Sequence, residues 1–68
     1  MTYRKIFKEM VMMIEDLHIE YSEAHFSASL KCECELNMDS DKASARLQND
    51  FDRYQSDLKV TLNEFELD

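Results

Sequence analysis

Sixty-eight residues, 44% of them hydrophobic and carrying a net charge of −7, are enough for one small domain spanning 1–68 and no more. With no Gly, Pro or Trp, the chain has no glycine loop to cradle phosphate, and its periodic aliphatic and aromatic residues exclude an intrinsically disordered chain. The longest apolar run, residues 10–14, falls far short of the roughly 20 residues that cross a bilayer, and no cleavable leader is visible, so a cytoplasmic, membrane-free protein is expected.

From Thr2, a good N-cap, apolar residues recur at Tyr3, Ile6, Phe7, Met10, Met13, Ile14 and Leu17, the spacing of one helix face. Met12 and Val11 widen that face beyond what the chain's own sheet would cover, which marks them as candidate dimer-interface residues. The end of this helix is open to two readings. Tyr21 continues the helical stripe, whereas Leu17, Ile19 and Tyr21 also alternate as a strand does.

From Phe26 the pattern changes. Phe26, Ala28, Leu30, Cys32, Cys34, Leu36 and Met38 alternate with polar residues, which predicts a long strand with one buried and one wet face. Such a strand needs a neighbour. Residues 18–22 could supply it as a hairpin through 22–25, or the same strand of a second subunit could pair across a two-fold axis. Asp39, Ser40 and Asp41 then form a strong helix-start signal, and Leu47, Phe51, Tyr54, Leu58, Leu62 and Phe65 form a helical stripe of about five turns. A terminal strand over Leu58, Val60 and Leu62 competes, but Phe65 and Leu67 break its alternation. The predicted fold is therefore α+β: helix, hairpin or single long strand, helix, with both helices on one face of a small antiparallel sheet.

Chemistry-bearing residues are sparse. Cys32 and Cys34 would project from the same side of the strand, yet a spacing of one residue with scattered His18 and His25 is a poor match to tetrahedral zinc, so no metal or other cofactor is expected. Neither histidine has a nucleophile beside it in sequence, and an enzyme is not expected. Carboxylates are plentiful instead, and all of them follow residue 8, after Arg4, Lys5 and Lys8. Glu15, Asp16, Glu20 and Glu23 cluster around the end of the first helix, while Asp50, Asp57 and Glu64 recur every seven residues. On a straight helix those three would stand about 10.5 Å apart, a row resembling a phosphate backbone.

A chain with this charge repels nucleic acid, so direct nucleic-acid binding is not expected. The leading expectation is a small acidic, non-enzymatic binding protein. It would inhibit or regulate a basic protein partner, for instance one that handles nucleic acid, through Glu15, Asp16, Glu20, Glu23, Asp50, Asp57 and Glu64. The alternative is a structural or assembly module that dimerises through the apolar helix face at Val11 and Met12 and the strand edge; a homodimer would also relieve the small core.

Overall fold

In the computed structural model, which describes residues 1–57 and 59–67, every regular element is helical. Helix α1 spans Tyr3–Glu15, α2 Tyr21–Leu36 and α3 Ser40–Ser56. No strand occurs among the described residues, so the α+β expectation, with its strand over 26–38 and a hairpin partner at 18–22, is corrected to a three-helix bundle.

Helix α1 begins at its expected cap, the Thr2 hydroxyl accepting the Lys5 amide at 3.3 Å. It stops at Glu15 because the chain turns left-handed at His18 (φ 56°), which lets the Ile19 amide donate back to the Met13 carbonyl at 2.9 Å. Helix α2 ends the same way at Asn37 (φ 55°), with the Met38 amide on the Cys32 carbonyl at 3.3 Å. In a chain without glycine these left-handed positions fall to Asn and His, two side chains that tolerate them. The Asp39 carboxylate then caps α3 through the Lys42 amide at 3.2 Å.

The core is the face shared by all three helices. Ile6, Phe7, Met10 and Val11 of α1, Ala24, Ala28 and Cys32 of α2, and Ala43, Leu47 and Phe51 of α3 are buried there. The fully buried side chains of α2 are all small, so its backbone sits close to its neighbours. The helices run up, down, up. Lys31 of α2 meets Glu9 of α1 at 3.0 Å, while Tyr21 packs on Phe51 with ring centres 5.1 Å apart and His25 reaches the Ser44 carbonyl at 2.8 Å.

Helix α3 ends earlier than its apolar stripe suggests. The Ser56 hydroxyl donates back to the Asp52 carbonyl at 2.9 Å, Asp57 is extended, and its carboxylate accepts the Lys59 amide at 3.3 Å. Short polar side chains here satisfy the backbone locally and compete with the helix. The expected five-turn helix to Phe65 is thus corrected, as is the competing terminal strand, and Leu58 lies outside the described residues. The tail folds back in turns instead. Phe65 is buried, stacked on Phe7 at 5.6 Å and edge-on to Tyr54 at 5.4 Å, under the Arg53 guanidinium. Among the described residues no helix is long and apolar enough to cross a membrane.

Candidate functional site

The alternation that mimicked a strand is two helical stripes laid over each other. Ala24, Ala28 and Cys32 are spaced four apart, as are Phe26, Leu30 and Cys34, and the offset of two residues sets the stripes about 200° apart around α2. The first stripe is core. The second faces solvent, with Phe26 65% and Leu30 43% exposed and Cys34 exposed as well. Two apolar faces on one helix call for two sets of neighbours, and α1 and α3 provide only one.

Beside the outer stripe, α2 and α3 flank a groove of about 420 Å³ lined by Tyr21, His25, Ser29, Asp41, Ser44 and both exposed apolar residues. The Tyr21 and Ser29 hydroxyl oxygens are buried and have no hydrogen-bond partner among the described residues. Burial pushes the Tyr21 phenol above its ordinary pKa, with the Asp52 charge adding to it. His25 stacks on Tyr21 with ring centres 5.3 Å apart.

Ser44 also comes within 3.4 Å of His25 Nε2, a serine–histidine pairing that sequence order hides because the two lie 19 residues apart. The pairing is not a catalytic dyad. Nε2 also lies 2.8 Å from the Ser44 carbonyl, which can only accept, so that nitrogen carries the proton and has no lone pair with which to activate the hydroxyl.

The predicted carboxylates separate into one gathered group and one exception. The up, down, up order brings the end of α1, the start of α2 and the end of α3 to the same pole of the bundle. Glu15, Asp16, Glu20, Glu23 and Asp57 therefore share that pole, and all are exposed. The returning tail adds Glu64, which lines with Asp57, Arg53 and Glu66 a hollow of about 310 Å³. Glu15 accepts from the Tyr54 hydroxyl at 3.3 Å, and burial, reinforced by Glu15, raises the Tyr54 pKa.

Asp50 is the exception. Its side chain is only 17% exposed, it accepts from the Tyr3 hydroxyl, and it faces Arg46 at 3.9 Å and Arg53 at 3.8 Å. It ties α3 to α1 and is not presented to a partner. Since α3 also ends at Ser56, the straight row of Asp50, Asp57 and Glu64 does not form, and the spacing that suggested a phosphate backbone has no structural footing.

The other candidates disperse. Cys32 is buried, its thiol pushed above its ordinary pKa by desolvation, whereas Cys34 points to solvent, so the pair diverges instead of converging as on a strand. Among the described residues no group of three potential ligands could hold a metal. Val11 lies wholly inside the chain's own core, which corrects its place at a dimer interface; Met12 is half exposed, among Lys8, Glu9 and Asp16 on the helix surface.

Phe26 and Leu30 were missed in sequence because the strand reading placed them in the core. The available signal was the absence of any Val, Ile or Thr between Ile19 and Val60, which disfavours a strand there. No protein-family model, curated protein or solved structure matches the chain.

Proposed function

We propose that the chain is a non-enzymatic binding protein that engages a basic surface of a protein partner, and that it acts as an inhibitor or regulator by occupying that surface. The observation that carries this reading is the acidic pole, where Glu15, Asp16, Glu20, Glu23, Asp57 and Glu64 come together from three helices and the tail. Part of it is unfavourable to the helix that carries it, although Glu15 also accepts from the Tyr54 hydroxyl. Glu15 and Asp16 stand at the C-terminal end of α1, where the helix dipole disfavours negative charge, and no basic residue occupies the last turn. Of the cations at this pole, Arg53 already contacts Asp50, the Phe65 ring and the Glu66 carbonyl.

Carboxylates in such an arrangement steer a cationic partner and set its orientation more than they add to affinity, so the association should be fast and sensitive to salt. Immobilised protein should retain a basic protein from host extract at low ionic strength and release it as salt rises. Replacing Glu15 and Glu20 with Gln, Asp16 with Asn and Glu23 with Gln should weaken retention about tenfold or more. Retention indifferent both to salt and to these four substitutions would overturn the reading.

A further inference from the structure

We propose that the outer stripe of α2, with the groove between α2 and α3, is the seat of one amphipathic helix of a partner protein, apolar on one side and flanked by Lys or Arg. This inference rests on the binding function above and names the element that the partner contributes.

The shape argues for a helix. No strand edge exists among the described residues, so an extended peptide has no ladder to join. Phe26 and Leu30 stand one turn apart, about 6 Å along the axis, which matches apolar anchors at i and i+3 or i+4 of a helix packed alongside. Seated there, the guest would be a fourth helix of the bundle, and it would cover the only apolar face that α1 and α3 leave open on α2.

The charge argues for a basic one. Glu23 and Glu33 bracket the stripe about 15 Å apart along α2, and Asp41 borders the groove from α3. These three make no ion pair among the described residues. The one lysine of α2, Lys31, is drawn to the opposite edge by Glu9. A second copy of this chain fits poorly, because a two-fold pairing of α2 with itself sets Glu23 and Glu33 against their like-charged counterparts. An anionic lipid surface fails for the same reason.

The test uses three peptides of about 15 residues, the length at which a helix becomes marginally stable. One carries leucines at i, i+3, i+4 and i+7 flanked by lysines, one replaces the lysines with glutamates, and one keeps the basic composition in an order that has no apolar stripe. Backbone amide shifts of the full chain are followed by NMR, together with its sedimentation. The expected result is binding of the first peptide alone, with shifts centred on Phe26, Ser29, Leu30, Glu33 and Ser44, and affinity reduced about tenfold or more by F26S with L30S. If both basic peptides bind equally and the shifts centre on Glu15, Glu20 and Glu64, the binding function stands and the helix seat is overturned. If neither basic peptide binds, both fall. If the free chain self-associates and F26S with L30S makes it monomeric, a second copy is the occupant and the proposal is overturned.

Discussion

Tyr3 brings a hydroxyl as well as a ring into the core region. It donates to Asp50, and the Arg46 guanidinium lies 3.8 Å over its ring, so one side chain joins the first turn of α1 to the middle of α3. The two arginine partners of Asp50 were legible as helical neighbours three and four residues away; Tyr3, 47 residues distant, was not, because only the fold brings it there. Burial raises the Tyr3 pKa far above the ordinary 10.0, and the hydrogen bond to Asp50 and the Asp50 charge add to the rise while Arg46 opposes it. Tyr21 and Tyr54 are raised too. A raised phenol is favoured neutral in the folded state, so its contribution is complete below about pH 10 and is lost as pH climbs above that value. Tyr3→Phe should cost about 1 kcal/mol at neutral pH and make the decline above pH 10 shallower, as read from denaturant unfolding at several pH values. Curves for parent and variant that stay parallel above pH 10 would contradict this.

At the scale of elements, α1 and the start of α3 were legible from their caps, since Thr2 and Asp39 each bind the backbone amide three residues on. Helix α2 was not. Its period-four stripes, Ala24, Ala28, Cys32 and Phe26, Leu30, Cys34, sum to a period of two, and hydrophobicity alone cannot separate that sum from a strand. Size separates them in the structure, because small residues face the core and large ones face water. The close approach this allows is testable. Ala28→Leu should destabilise by about 1–3 kcal/mol through overpacking against α1 and α3, measured as a lower urea midpoint; an unchanged midpoint would mean that α2 does not pack as described. The far end of α3 was misread for a different reason. Phe65 does reach the core, but it arrives by a turn of the tail and not on the helical stripe.

For the whole molecule, the acidic character was plain in the composition, but its placement needed the topology. An up, down, up bundle brings Glu15, Asp16, Glu20, Glu23, Asp57 and Glu64 to one pole and turns Asp50 inward, a division that no linear spacing reveals. The same topology leaves α2 between its neighbours with a second apolar face outward. Phe26 and Leu30 are proposed to serve a partner and not the fold, and equilibrium urea unfolding of the Phe26→Ser, Leu30→Ser double variant measures what they contribute to the fold. Stability within about 1 kcal/mol of the parent is expected, as for surface substitutions on a helix. A loss of about 3 kcal/mol or more, the size of a core deletion, would contradict it.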